Sequence, residues 1–471
     1  MLNGNLQILN LQVAIAILTI IYKPSTAREL ALAVLYQVEV EKAYADLALD
    51  AELSRSSLRP EDRALATELV YGVLRWQKNL DWHLEQVCRK PLKKTTPWIR
   101  NILRLGAYQL LFLTRVPTFA ALNESVKLAK KVGYPGSHNF VNAALRALDR
   151  RRTQFTFPEL EKDPVAHIAL KYSHPEWLVR RWIHRYGIAP TTRWCQANNQ
   201  PPVLAIRMNP LKTTLEALGK ELEGDVESVS PLPFNLPGLI LKGHPAVAAL
   251  SAYQKGWFTV QDPGSMLVSQ ILAPQSREAI LDACAGLGTK TTQIAELMGN
   301  DGTILAVDLN ASKIKLLQES SRRLGITILE SRVGDVTQLK DLGGRRFHRI
   351  LVDAPCSGCG VLRRHPESKW RITEAQIHRL QPLQVALLTG VAPFLDSEGI
   401  LVYSTCTTEP EENEEVVEKF LQRHPGFQVE SVGPYLPESL RSLVTEGAYL
   451  KTYLYPEVFN GFFGARLRKR G

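Results

Sequence analysis

Leu281-Asp282-Ala283-Cys284-Ala285-Gly286-Leu287-Gly288-Thr289-Lys290 passes from an apolar run into a glycine turn and out into a helix. A strand ending near Ala283 and followed by Gly286 and Gly288 lets backbone approach a ligand closely. The first N–H groups of a helix opening at Thr289 can then meet polar ligand atoms. Around this stretch strands and helices alternate: strands at 279–284, 303–307, 348–353 and 399–405, helices at 289–298, 311–323 and 375–391, and a closing strand at 459–467. That rhythm predicts a doubly wound, Rossmann-like α/β domain with a parallel sheet over residues 256–471. Two phosphate-binding patterns are excluded. A P-loop needs Gly directly before Lys-Ser/Thr, where Thr289 stands before Lys290, and a dinucleotide fingerprint needs a third glycine where Thr291 stands.

Ligands of such a sheet sit beyond the carboxyl ends of its strands. Asp308 ends Leu305-Ala306-Val307-Asp308, where a carboxylate can accept hydrogen bonds from both hydroxyls of a ribose; a turn or helix-capping aspartate would look the same. Asp335, in Val333-Gly334-Asp335-Val336, stands at the next strand end and could accept from an adenine amino group; alone it is an ordinary turn residue. The glycine turn with Asp308, Asp335 and Asp353 is more specific than any one of them, and the set fits an adenosine ligand without requiring phosphate.

Two cysteines follow strands in the same way, Cys356 in Val352-Asp353-Ala354-Pro355-Cys356-Ser357-Gly358 and Cys406 in Leu401-Val402-Tyr403-Ser404-Thr405-Cys406-Thr407. Both thiols are expected in one crevice, in an enzyme that attacks an electrophile with a thiolate while holding a nucleotide-like cofactor. Thr408-Glu409-Pro410-Glu411 reads as a capping box, which would set Cys406 near a helix N-terminus that favours negative charge, with Glu409, Glu411 and Glu412 opposing that effect. Cys356 and Cys359 also form Cys-x-x-Cys, a pattern of redox pairs and half zinc sites; no second pair lies near it, so neither metal nor disulfide chemistry is expected.

The chain has 471 residues, 45% hydrophobic and 22% charged, which excludes a disordered protein and suggests two or three domains. Six cysteines spread over this length argue for free thiols in a reducing, cytoplasmic setting. The net charge is +10, and residues 28–150 hold nineteen Lys and Arg against thirteen Asp and Glu, so most of the excess sits in about a quarter of the chain. That quarter is helical throughout by its apolar spacing. It carries the basic pieces Arg89-Lys90-Pro91-Leu92-Lys93-Lys94 and Arg115-Val116-Pro117-Thr118, with Lys127, Lys130 and Lys131 on a later helix, a distribution that suits a nucleic acid. Residues 151–255 read as a small mixed α+β domain: Pro175-Glu176-Trp177-Leu178-Val179-Arg180-Arg181-Trp182 opens a helix and Val203-Leu204-Ala205-Ile206-Arg207 is a strand. Residues 1–27 read as an extension, disordered or a non-native start. Its apolar stretch is broken by Gln7, Asn10 and Gln12 and fits neither a signal peptide nor a membrane span.

Asp353-Ala354-Pro355-Cys356-Ser357-Gly358-Cys359-Gly360-Val361, Arg363-Arg364-His365-Pro366-Glu367-Ser368-Lys369-Trp370, Tyr403-Ser404-Thr405-Cys406 and Gly461-Phe462-Phe463 resemble the RNA cytosine-C5 methyltransferases that use S-adenosyl-L-methionine. The helical region, with Asn123-Glu124-Ser125-Val126 and Phe140-Val141-Asn142-Ala143-Ala144-Leu145-Arg146, resembles the NusB-like RNA-binding domain fused to that catalytic unit in the RsmB/Sun subfamily, which modifies 16S rRNA. The resemblance implies a monomer in which Cys406 attacks cytosine C6 and Cys356 assists proton loss and release. It also implies that Asp353 bonds the cytosine edge and borders the donor pocket, that Lys290 orients neighbouring carboxylates, and that the base leaves its stack. The cofactor would lie on Cys284, Ala285, Gly286, Leu287, Gly288, Thr289, Lys290, Asp308, Asp335 and Asp353. The family's turn usually reads Ala-Pro-Gly-Gly-Lys, so Gly286, Leu287 and Thr289 are replacements here; Asn460 stands for the usual Asp before Gly-Phe-Phe, and Cys359 for a Thr. Two other readings are a methyltransferase of a tRNA or 23S rRNA cytosine, and a non-catalytic RNA-binding or assembly protein that keeps the fold.

Overall fold

A computed structural model describes residues 24–471 apart from 244, 245, 339–341, 343 and 455–458. The expected N-terminal extension therefore lies outside the described residues except for its last few, where Thr26 caps the first helix by accepting from the Glu29 N–H. The described residues divide into two compact units, one running from 24 to 200 with His365–Arg371, the other of Pro201–Arg364 with Ile372–Gly471.

The first unit is all-helical. Labelling helices of eight or more residues in chain order, it holds α1 (Ala27–Tyr36), α2 (Ala45–Arg55), α3 (Pro60–Glu85), α4 (Pro97–Phe112), α5 (Thr118–Val132), α6 (Ser137–Arg151), α7 (Pro164–Lys171), α8 (Glu176–Tyr186) and α9 (Ile188–Asn198). Its core comes from α1–α6, with Leu30, Leu69, Ile102, Leu105 and Leu145 fully buried, as three-to-four-residue apolar spacing dictates. The buried Arg104 is matched: it reaches Asp81 through both carboxylate oxygens at 2.7 Å and Glu39 at 3.2 Å. The basic pieces keep out of this core, and Arg89, Lys90, Lys93, Lys94 and Arg115 are exposed.

The segment His365–Arg371 leaves the second unit's chain and lodges in the first. Lys369 is buried there, its Nζ donating to Arg75 O, Ser173 O and Asn199 Oδ1 at 3.0, 3.2 and 2.8 Å, while Trp370 Nε1 donates to Leu74 O and Arg371 to Val38 O and Ala43 O. Burial, with Arg75 nearby, drives the Lys369 ammonium well below its usual range.

The second unit carries two sheets. β1 (Leu204–Met208), β2 (Ser228–Pro231), β3 (Gly238–Lys242) and β4 (Phe258–Val260) form an antiparallel sheet in the order β2-β3-β1-β4, with α10 (Leu215–Leu222) packed on it. Residues 151–255, expected as one small domain, therefore divide: α7–α9 fall in the first unit and the strands in the second. The larger sheet is built from β5 (Ala279–Asp282), β6 (Thr303–Asp308), β7 (Leu329–Val333), β8 (Phe347–Asp353), β9 (Leu395–Thr405), β10 (Phe427–Glu430), β11 (Leu450–Lys451) and β12 (Phe463–Lys469). Its order is β7-β6-β5-β8-β9-β12-β10, with β11 paired to β12. Helices α11 (Pro263–Leu272), α12 (Thr289–Leu297), α13 (Ala311–Leu324), α14 (Glu374–Val391) and α15 (Glu414–Arg423) complete it.

β5 to β9 pair in parallel, as the alternation predicts, but β12 runs antiparallel to β9 and β10, so the sheet is mixed at one edge. The closing strand starts at Phe463 rather than 459, because the Thr452 side chain bonds Asn460 O and accepts from the Phe462 N–H, which holds that stretch as a loop. The capping box expected at Thr408 does not form. Pro410–Glu412 is a single 3-10 turn and α15 opens only after Asn413. The Thr408 hydroxyl donates to Glu409 at 3.2 Å, and the residues beyond bond elsewhere: Asn413 binds Thr405 Oγ1 and Thr407 O, and Glu412 binds Ser357.

Candidate active site

The strand order reverses beside β5, with β6 on one side and β8 on the other, and the crevice past those carboxyl ends is where a doubly wound sheet binds its ligand. Asp282, Asp308 and Asp353 end β5, β6 and β8, and Cys406 directly follows β9. Gly288, at φ +82°, ends the turn and starts α12, and a Cβ there would sit 1.9 Å from Leu317 Cδ1. The one glycine kept from the usual family turn is thus the one the local geometry requires. Gly286, at φ +56°, faces open space in which a Cβ would meet nothing within 4 Å, and its N–H donates to Asp308 Oδ2 at 2.9 Å.

Lys290, in the first turn of α12, is 9% exposed and ties the site together. Its Nζ lies 2.6 Å from Asp353 Oδ2, while the Ser404 hydroxyl donates to Asp353 Oδ1 at 2.6 Å. Burial alone would lower the ammonium's pKa. The charge and hydrogen bond of Asp353, with Cys406 and Asp282 beyond it, outweigh that and raise it. The Phe462 ring lies 5.4 Å from the same Nζ, which explains the aromatic in Gly461-Phe462-Phe463. Asp282 is 1% exposed; it accepts from Thr291 Oγ1 at 2.6 Å, its Oδ1 has no hydrogen-bond partner, and burial pushes its carboxyl up to about 7.

The two sulfurs meet as the sequence suggests: Cys356 Sγ and Cys406 Sγ are 3.3 Å apart, and all six cysteines are free thiols. The hydrogen bond with Cys406, then burial, hold the Cys356 thiol well above its usual range. Cys359 is fully buried and accepts from Ser357 Oγ at 3.3 Å, so the Cys-x-x-Cys spacing brings Cys356 to Cys406 rather than to Cys359. Gly360 lets two chain segments cross at this point: its N–H donates to Cys406 O, its carbonyl accepts from the Gly461 N–H, and a Cβ on it would stand 1.9 Å from Gly461 O.

Two residues carry more than their sequence suggests. Glu412 is fully buried, where burial raises its carboxyl, and accepts from Ser357 N–H at 2.8 Å, from the Ser357 hydroxyl and from Gln384 Nε2 at 3.1 Å, which fixes the Cys356 loop. Its place in a run of glutamates concealed this. Arg207 of β1 grips Glu296 of α12 at 2.8 and 2.7 Å, with both side chains almost fully buried, and also donates to Thr289 O at 3.0 Å. Its only signal was a charge inside an apolar strand. Asp335 stands two residues past β7, and the bonds to its carboxylate come from its own turn, from Thr337 N–H and hydroxyl and from Gln338. Cys284 and Ala285 precede the turn, where burial drives the Cys284 thiol far up, and Leu287 is exposed at its tip.

The open space at Gly286, the unpartnered Asp282 oxygen and the half-exposed Asp308 form a cradle suited to a polar, compact cofactor. Residues 269–468 match the family model described as 16S rRNA methyltransferase RsmB/F, residues 25–150 the NusB family, and residues 174–248 the ferredoxin-like domain of RsmF/B-like methyltransferases. A probable ribosomal RNA small subunit methyltransferase B of Bacillus subtilis is 37% identical over 95% of this chain and 100% of its own length. This chain belongs to the RsmB/F methyltransferase family. The Synechocystis relative, also named a probable small subunit methyltransferase B, is 40% identical over 94% of this chain and 99% of its own. The crystal structure of PH0851 superposes with a TM-score of 0.80 at 25% identity, covering 95% of this chain and 99% of that one. Membership makes the chain an S-adenosyl-L-methionine-dependent RNA methyltransferase. Among the described residues no helix is long and apolar enough to cross a membrane.

Proposed function

We propose that this enzyme methylates C5 of a cytosine in 16S rRNA, acting as a cytoplasmic monomer through a covalent Cys406–C6 adduct. The observation that carries the proposal is the sulfur pair, 3.3 Å apart at the carboxyl ends of adjacent parallel strands and beside the Lys290–Asp353 ion pair. C5 of cytosine is a poor nucleophile. Addition of a thiolate to C6 pushes the ring's π electrons onto C5, which can then take an electrophilic carbon. S-Adenosyl-L-methionine supplies that carbon as the methyl of a sulfonium.

Cys406 forms the S–C6 bond. After C5 has taken the methyl, loss of the C5 proton returns an electron pair to the C5–C6 bond and expels Cys406 as thiolate. Cys356 assists that proton loss and release: it keeps its own proton in the resting site, can pass that proton to the departing Cys406 sulfur, and as the thiolate so formed takes the C5 proton. Asp353, paired with Lys290 and oriented by Ser404, bonds the amino edge of the flipped base. The turn from Cys284 through Ala285, Gly286, Leu287, Gly288 and Thr289 to Lys290 would line the donor pocket, with Asp308 on the ribose and Asp335 toward the adenine.

The test is transfer of labelled methyl to unmodified 16S rRNA, with denaturing gels to detect trapped protein–RNA adduct. Wild type should transfer, Cys406→Ala should not, and Cys356→Ala should accumulate adduct. Full activity in Cys406→Ala would remove the nucleophile from the mechanism, and methylation of tRNA or 23S rRNA in place of 16S would move the substrate.

A further inference from the structure

Away from the sulfur pair, the segment inserted in the helical unit builds a second polar cluster. His365 and Glu367 lie on that segment, and Asp46 lies in the first turn of α2. One side-chain ligand atom from each falls within 4.8 Å of the other two. Asp46 is exposed, His365 half-buried, and Glu367 only 1% exposed. The Glu367 carboxylate has one weak protein partner, the Ala45 N–H at 3.4 Å on Oε1, with His365 Nδ1 3.9 Å from the same oxygen. Its Oε2 is buried with no hydrogen-bond partner.

A carboxylate oxygen taken out of water and left without a donor is unfavourable unless a positive charge or proton answers it. The cluster itself sets two carboxylates beside a single imidazole.

We propose that Asp46, His365 and Glu367 bind one divalent cation of the manganese or zinc type, held by one imidazole nitrogen and two carboxylate oxygens. That donor set is harder than a thiolate site and softer than an all-oxygen one, and it suits ions that accept both imidazole and carboxylate. Ligands about 2.1 Å from a metal lie at most about 4.2 Å apart, so rotamer adjustments of a few tenths of an ångström close the three onto an ion. Three ligands leave positions for water on the exposed Asp46 side. The ion would supply the charge that Glu367 Oε2 lacks and would clip the inserted segment to α2.

The experiment uses the full-length protein, stripped with chelator, dialysed and titrated with manganese chloride while the electron paramagnetic resonance signal of free aqua-Mn2+ is followed. Manganese is the chosen probe because the six thiols compete for softer ions. Wild type should bind one Mn2+ per chain and melt at higher temperature with it. Glu367→Gln, His365→Gln and the exposed Asp46→Asn should each weaken binding by about tenfold or more. Absence of binding by folded wild type up to about millimolar Mn2+ overturns the proposal and leaves Glu367 as an acceptor for the α2 N-terminus. Binding that none of the three substitutions alters overturns it as well, and directs the ion to the aspartates at the sheet's carboxyl edge.

Discussion

Asp282 shows how a single residue can oppose stability where a ligand is to bind. Its carboxyl titrates near 7 in the folded chain against 3.8 for an ordinary aspartate, because burial disfavours the charge. Between about pH 4 and pH 7 the folded protein therefore binds a proton that the unfolded chain has released. The group's contribution to stability is complete below pH 4 and falls away as pH rises through 7. Asp282→Asn removes this dependence, and its amide oxygen can still accept from Thr291. From pH 5 to pH 8 the variant should gain on wild type by on the order of 2 kcal/mol, a few degrees in Tm. Melting curves at the two pH values check this, and an unchanged difference between the proteins would mean Asp282 is ionised throughout. Asp282 was legible only as a strand residue, since burial and a missing partner are three-dimensional facts. Cys356 and Cys406 were legible as a pair because strand endings forecast position, whereas Glu412 was not: nothing in a run of glutamates tells which one turns inward.

At the level of elements, apolar periodicity located β5, β6, β8 and β9 and the helices between them to within a few residues, since each strand is buried on both faces and each helix on one. Pairing was less legible. β12 joins β9 and β10 in antiparallel fashion, and no local signal distinguishes that edge from a parallel one. The Thr408 pattern misled because its hydroxyl bonds the neighbouring Glu409 and the helix starts only after Asn413. The glycine turn falls between β5 and α12 as the sequence placed it, and the structure narrows the glycine requirement to Gly288, whose positive φ and contact with Leu317 leave no room for a side chain. Gly288→Ala should strain the start of α12 by about 1–3 kcal/mol. On the proposed placement of the donor along this turn, S-adenosyl-L-methionine binding measured by calorimetry should weaken by about tenfold or more. Unchanged affinity in a folded variant would separate the turn from the cofactor.

For the whole molecule, composition announced a basic helical region, but not that seven residues of the catalytic chain, His365–Arg371, would fold into that unit. A buried lysine bonded to three acceptors is invisible in sequence, because its acceptors come from Arg75, Ser173 and Asn199, far away along the chain. Surface charge is more legible, since unpaired lysines seldom go inside, and Arg89, Lys90, Lys93 and Lys94 are indeed exposed. An exposed basic run in an RNA methyltransferase has a thermodynamic signature. Each phosphate neutralised releases counterions, so affinity falls with salt at a slope of about 0.7 to 0.9 per contact on a log–log plot. If Lys93 and Lys94 each meet one phosphate, Lys93→Glu with Lys94→Glu should flatten that slope by roughly 1.5 or more and weaken RNA binding at low salt most. The site chemistry stays in the other unit, so single-turnover methyl transfer at saturating RNA should keep its rate. Filter binding of 16S rRNA fragments across a potassium chloride series decides the matter: parallel lines for wild type and variant would place the RNA on another face, whereas a flattened line with an unchanged saturating rate assigns this run to substrate capture rather than to chemistry.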